Sequence, residues 1–432
     1  MINRLVSLTK SKLVQDTGLY TLFNLIDRSI PFLLLPVVTR FLDPAEYGMY
    51  VTFQSLTMFL MPFVTMNSDA AIIRNYFNQD VVDFKSYFSN GLIVFAFFTF
   101  LSFLVIIATA PVLSVALNFP SPWLVAVVFV SALQFASDLF LNLLQAKKLP
   151  RTFGAYRIAL TLSRNSLMIF FVVSLGWKWE GIIYSQIIVF FLFFIVSFYH
   201  FYREGYLFHR FNKHFTVDNI RYGAPLTLHR IGAWLTDLSS RIILTSLLGA
   251  AATGKYSIGA SLGMIVALAQ DSFNRAFVPY LYEQLNAITD RTKDKLVRLT
   301  YLYHVAILLL ALFIGFGGYF AVGTVFGEKY EEAAPYIIWI AVGYAFDGMY
   351  KMHVNYIFYA SKTHYIFPIT VTSGIVNVIL CYLFIPIFGA IGAAQALCGG
   401  LFVSFVLAWI VGNKIYPMPW HHNVFAFRGT TQ

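Results

Sequence analysis

The chain has 432 residues with 59% apolar residues, only 12% charged ones, and a formal charge of +10. A soluble domain carries about 25% charged residues, so a water-facing surface cannot be covered and soluble, disordered and coiled-coil classes are excluded. The aromatic share of 18% suits lipid contact and interfacial belts.

The first residues, Met1 to Gly18, mix Arg4, Lys10, Lys12 and Asp16 with scattered leucines and show no cleavable signal peptide. They read as an interfacial amphipathic lead into the first span. A membrane helix needs about 20 mostly apolar residues. Twelve stretches qualify: 17–39, 48–68, 89–110, 123–145, 154–175, 181–200, 223–247, 256–279, 299–320, 335–357, 365–386 and 391–412. They are continuous and lack period-two alternation, which favours helices over a barrel.

Lys and Arg orient these spans. Nineteen fall in connections on the N-terminal side, four on the opposite side (Arg40, Lys178, Lys255, Lys329) and seven inside spans. The positive-inside rule then places both termini in the cytoplasm, and the +10 charge reads as orientation rather than as nucleic-acid binding. External connections are all short, which leaves no room for an external catalytic domain.

An internal repeat divides the chain. Leu42, Gly48 and Tyr50 after the first span match Leu248, Gly254 and Tyr256 after the seventh, at an offset of 206 residues. The expected organisation is an N-terminal half at 1–200, a cytoplasmic connection at 201–222 and a C-terminal half with its tail at 223–432. Parallel repeats of this kind are a transporter pattern, with the substrate site near the midplane.

Twelve ionisable residues lie inside the spans: Asp27, Arg28, Asp138, Arg157, Arg164, Arg230, Asp237, Arg241, Asp271, Arg275, Asp347 and Lys351. Each would cost about 2.5–3.5 kcal/mol at a lipid-exposed helix centre, so they should face protein or a wet cavity. Arg230, Asp237 and Arg241 share one helical face, and so do Gln134, Asp138, Asn142 and Gln145. Asp237/Arg241, Asp271/Arg275 and Asp347/Lys351 have partners one turn away and can be read as salt bridges. Arg28, Arg164 and Arg230 have no such partner. Arg157 reads as a snorkelling residue near the cytoplasmic end. Seven bases against five acids make a basic cavity suited to an anion, and arginine binds phosphate bidentately. The expected substrate ligands are therefore Arg28, Arg164, Arg230, Arg241, Arg275 and Lys351.

Transport against a gradient needs a driving force, and there is no Walker A or dinucleotide fingerprint. No cofactor is expected. Coupling to a proton or sodium gradient would use Asp138, Asp237, Asp271 or Asp347, with Asp138 first because no base lies one turn away on its own helix. Cys381 and Cys398 suggest no disulfide framework, and His421-His422 reads as an interfacial segment rather than a metal site. Gly315, Gly317 and Gly318 read as close-packing positions.

Several stretches resemble the oligosaccharide flippases of bacterial surface-polysaccharide synthesis, especially the O-antigen (Wzx-type) group. They are Arg28 to Gly48, Tyr222-Gly-Ala-Pro225 with Ser240-Arg241 and Gly254-Lys-Tyr256, and Phe388-Gly-Ala-Ile-Gly392. Many members carry an acid directly before the arginine at position 241, where this chain has Ser240. The resemblance implies membership of the multidrug/oligosaccharidyl-lipid/polysaccharide exporter superfamily. It implies an all-α polytopic protein, with twelve transmembrane helices in two parallel six-helix bundles around a central cavity, working by alternating access. The implied substrate is an undecaprenyl-pyrophosphate-linked oligosaccharide, moved across the bacterial inner membrane. Implied partners are the lipid bilayer, an O-antigen polymerase and a chain-length regulator. A drug/cation antiporter of the same fold would favour an acidic cavity. A glycan polymerase or ligase would need a large external loop, so a transporter and not an enzyme is expected.

Overall fold

The structure is a computed structural model that describes residues 12–287 and 289–420. The side chains of residues 12–17, Arg28, His229, Ala233 and Asp237 lie outside the described set, as do His421-His422 and most of the N-terminal lead. The described residues are helical almost throughout, with short connections.

Eight helices are each long and apolar enough to cross a membrane, and a ninth span is available if one bent pair counts as one. Each of the twelve apolar stretches is helical, 48–68 and 223–247 across a break between two helices. The three stretches outside the eight or nine, 223–247, 256–279 and 335–357, hold seven of the twelve in-span charges: Arg230, Asp237, Arg241, Asp271, Arg275, Asp347 and Lys351. Apolar length alone therefore does not fix the span count at twelve.

The helices fall into two compact units, divided inside one helix at Ile231/Gly232. Unit 1 holds α1 (Lys12–Phe41), α2 (Pro44–Thr65), α3 (Ser68–Tyr76), α4 (Phe84–Ala116), α5 (Ser121–Ala146), α6 (Pro150–Ile169) and α7 (Trp179–Arg203). It also takes α8 (Lys213–Asp237) as far as Ile231. Burial reaches 72% of the apolar window of α5 but only 22% of that of α4, which puts α5 at the centre and leaves α4 an apolar outer face. Phe95 stacks on Phe135 at 4.0 Å between them. The Tyr156 hydroxyl joins α6 to α5 and α7 through Ser137 (3.1 Å) and Ser197 (2.8 Å). Such bonds matter where no water can satisfy a buried hydroxyl.

A break between α2 and α3 bends the chain by 55°. Met66 and Asn67 take left-handed backbone there (φ 47° and 49°). Thr227 of α8 donates to the Pro62 carbonyl at 3.3 Å and accepts from Asn67 Nδ2 at 2.8 Å, so side-chain groups stand in for helix bonds. Gly223 allows that approach: a Cβ there would lie 1.9 Å from the Met66 carbonyl oxygen.

Unit 2 holds the end of α8, then α9 (Ser239–Leu248), α10 (Ala250–Asn286) from Ala252, α11 (Asp290–Phe326), α12 (Ala334–Tyr359), α13 (Ile366–Phe388) and α14 (Ala390–Ile415). Half of the apolar window of α14 is buried against 22% for α11, so α14 is the inner helix. The break between α8 and α9 is covered by Asn377 of α13, whose amide donates to the carbonyls of Leu235 (3.1 Å) and Thr236 (3.2 Å) and to Ser239 Oγ (3.1 Å). Gly315 sits against the Ile338 backbone, where a Cβ would be 3.0 Å from Cα, whereas Gly317 faces open space; close packing holds for the first and not the second. Cys381 and Cys398 are free and buried.

Candidate functional site

Within unit 1, α1, α2, α3, α5, α6 and α8 enclose a polar cavity of about 260 Å³. The break after α2 turns the chain so that Asp69, in the first turn of α3, enters this cavity; a helix N-terminus favours a carboxylate. Asp138 and Asn142 come from the polar stripe of α5, with Gln145 one turn further on. Arg157 enters from α6 and Arg230 from α8. The wall is completed by Asn24, Thr65, Met61, Phe135, Leu141 and Phe153.

The charges interact across the space. Asp138 feels the carboxylate of Asp69 and the guanidinium groups of Arg157 and Arg230, and Arg230 also acts on Asp69. Asn142 Nδ2 donates to Asp69 Oδ2 at 3.2 Å, and Gln134 Nε2 donates to Asp138 Oδ2 at 3.3 Å. No described base lies within ion-pair distance of Asp138. Arg157 is engaged elsewhere: its Nη2 and Nε meet Asp27 Oδ2 of α1 at 2.8 and 2.9 Å, and Thr161 donates to the other carboxylate oxygen. The snorkelling role expected for Arg157 is therefore corrected to an interhelical pair. Arg230 is exposed and, among the described residues, pairs with no carboxylate. The lining carries two acids and two bases, so the surplus of positive charge expected for the cavity is absent from its described walls.

Unit 2 gathers a second set. Lys351 Nζ of α12 is bonded to Asp271 of α10 and lies 3.2 Å from Asp347 on its own helix. Gln270 Nε2 donates to Asp347 Oδ2 (2.5 Å), the same oxygen that faces Lys351, and Asn355 donates to Asn274 at 2.8 Å. The expected Asp271/Arg275 pair is thus replaced by an Asp271–Lys351–Asp347 triad, and Arg275 stands exposed on α10. Lys351 is held by two carboxylates and is not free for an anion in this arrangement.

Of the other expected ligands, Arg164 is half-buried on α6, outside the cavity lining and without an ion-pair partner among the described residues. Arg241 is half-buried on α9, with its carbonyl accepting from Thr245 (3.0 Å) and Thr253 (3.2 Å). The side chains of Arg28 and Asp237 lie outside the described set. Ser240, at the position where the resembled flippases carry an acid, contacts Asn377 and Cys381 at 3.4 Å. Asp69 is the residue that sequence reasoning missed; the signal was the helix-compatible run Ser68-Asp-Ala-Ala-Ile-Ile73 continuing past the apolar stretch. Among the described residues no group of three His, Cys, Asp or Glu could hold a metal ion.

Comparison with known proteins gives this arrangement a context. The chain is 24% identical over 384 residues to the Lsg locus protein 1 of Haemophilus influenzae, covering 85% of this chain and 90% of that one. It is 23% identical to a further membrane protein of the same organism, covering 81% and 85%. Among solved structures, the lipid II flippase MurJ in an inward closed conformation matches with a TM-score of 0.64 at 12% identity, over 90% of this chain and 87% of that one. The MATE transporter VcmN of Vibrio cholerae in its bent form matches at 0.56 and 14% identity, over 93% and 96%. The fold is the one shared by these multi-pass membrane transporters. With residues 13–284 matched by its polysaccharide biosynthesis protein signature, the chain belongs to the polysaccharide biosynthesis protein family.

Proposed function

We propose that the chain flips an undecaprenyl-pyrophosphate-linked oligosaccharide, an O-antigen repeat unit, from the cytoplasmic to the periplasmic leaflet of a bacterial inner membrane. It works by alternating access with its twelve helical stretches as twelve spans and both termini cytoplasmic. The observation that carries this reading is the unit 1 cavity. Asn142 and Gln145 lie at the end of α5, directly before the basic turn Lys147-Lys148 and Arg151, so the cavity sits toward the face that the charge asymmetry assigns to the cytoplasm. There Arg230 offers an unpaired guanidinium to a diphosphate. Family membership and the likeness to a lipid II flippase support the same reading. Arg28, Arg164, Arg241 and Arg275 remain further anion ligands in this scheme, and an O-antigen polymerase and a chain-length regulator its expected partners.

Asp138 is the proposed coupling residue, protonated or sodium-bound in one half of the cycle; Asp237, Asp271 and Asp347 rank behind it. The test is transport in vesicles, read as loss of lectin-accessible oligosaccharide from one leaflet. The wild-type chain should move the lipid-linked oligosaccharide. Arg230→Ala should slow it about ten- to a hundredfold, as loss of a charged hydrogen bond of about 1.5–3 kcal/mol implies. Asp138→Asn should remove the dependence on a pH or sodium gradient. A second reading, a drug/cation antiporter, is favoured by the two carboxylates Asp69 and Asp138 in the cavity. Gradient-driven export of ethidium without movement of the lipid would select it and overturn the first.

A further inference from the structure

We propose that the unit 1 cavity is a saccharide subsite, holding the sugar ring next to the diphosphate rather than the diphosphate itself; this rests on the flippase reading above. Charge balance is the first reason. With Asp69 and Asp138 set against Arg157 and Arg230, and Arg157 already neutralised by Asp27, the described walls give a diphosphate no net attraction. Two carboxylates facing phosphate oxygens would repel them.

Hydrogen-bonding capacity is the second reason. The side-chain amides of Asn24 and Gln145 have no hydrogen-bond partner among the described residues, and Asn142 keeps its carbonyl oxygen free after its amide nitrogen serves Asp69. An amide offers donors and an acceptor together. A sugar hydroxyl needs both, whereas an ionised phosphate oxygen only accepts. A carboxylate is an equally good acceptor for a hydroxyl, so Asp69 and Asp138 change from a liability toward phosphate into an asset toward a sugar.

Shape is the third reason. Phe135, Phe153, Leu141 and Met61 supply apolar wall for the C–H face of a ring. About 260 Å³ lies just under the ~300–1,000 Å³ of pockets for drug-sized ligands, so one ring fits and an oligosaccharide does not. The remaining sugars must lie outside. The diphosphate, bonded to the anomeric carbon of the seated ring, then falls to the exposed guanidinium of Arg230.

The experiment measures equilibrium binding to the purified full-length chain in lipid nanodiscs. The probes are bare undecaprenyl pyrophosphate and the same lipid carrying one hexose, one N-acetylhexosamine or one 6-deoxyhexose. At least one glycosylated lipid should bind about tenfold tighter than the bare lipid. Gln145→Leu and Asn24→Leu should each cut that ratio toward one, with bare-lipid affinity serving as the control that the variant is folded. Arg230→Ala should instead weaken bare and glycosylated lipids by the same factor. Equal binding of all four lipids by the wild-type chain, or a Gln145→Leu loss as large for the bare lipid as for the glycosylated one, overturns the saccharide subsite while leaving the flippase reading intact. Failure to bind any polyprenyl pyrophosphate overturns both.

Discussion

The two units use the same residue types to opposite ends. In unit 2, Lys351 is enclosed by Asp271 and Asp347, so the cation and both carboxylates are consumed by one another. In unit 1, Asp69, Asp138 and Arg230 surround open space and none reaches a described partner of opposite charge. Charged residues on the helices of this chain are therefore not of one kind. Those that close on each other join helices, and those held apart leave capacity for a ligand.

Removing Lys351 should have the largest effect on stability. Lys351→Ala leaves two carboxylates together without a cation, and about 3 kcal/mol is expected, the lower end for breaking a buried pair because the group is partly exposed. Thermal unfolding in detergent measures this, and Asp347→Asn in the same chain should restore part of the loss. A Lys351→Ala chain as stable as wild type would erase the contrast between the units. Gly223→Ala comes next. Its methyl group would overlap the Met66 carbonyl, and overpacking of this kind costs about 1–3 kcal/mol. Because the shift occurs at the break that aims Asp69, transport should fall further than stability alone explains. Smaller again is the Asp27–Arg157 pair: a double-mutant cycle with Asp27→Asn and Arg157→Ala should return a coupling of about 1.5 kcal/mol, the range for charged hydrogen bonds. A coupling near zero would return Arg157 to a snorkelling role. Arg230→Ala should change stability least, by less than about 0.5 kcal/mol as for an exposed side chain, while transport falls by the factor given above. Equal losses of stability and transport would place Arg230 with Lys351 among the joining residues.

The helices were legible in the sequence because apolar length is a local property. Every stretch is helical, two of them across a break, though α4 runs over 84–116 where apolarity marks 89–110: the turn Phe84-Lys-Ser-Tyr-Phe88 and the apolar continuation Pro111–Ala116 extend the helix at its two ends. The π-helical turn at Phe170–Ser174 left no comparable mark, whereas Pro62, inside α2 and four residues before Met66, is a sequence feature able to bend a helix near the 55° break. Charge partners were legible only in part. Spacing along one helix identifies Asp347/Lys351, but it cannot weigh Arg275 against the longer reach of Lys351 from α12, and packing gave Asp271 to the latter. Asp69 was missed because it follows the last apolar residue of its stretch, where a sequence pattern cannot tell a re-entering helix from a loop.

The cavity in unit 1 also sets a timetable for biosynthesis. Its carboxylates are at positions 69 and 138, whereas Arg230 is translated 161 residues after Asp69. At about 5–20 residues per second the ribosome needs on the order of ten seconds to cover that distance. During this interval Asp69 and Asp138 have been synthesised without the guanidinium that later faces them, and the bend after α2 lacks the Thr227 hydroxyl that covers it. A nascent chain stopped near residue 200 is therefore an unfinished unit with two uncompensated acids. A gene fragment meant to supply the first half in co-expression should therefore run past Arg230 to the end of the 223–247 stretch rather than stop near 200, and a fragment ending near 200 should be the one degraded by membrane quality-control proteases.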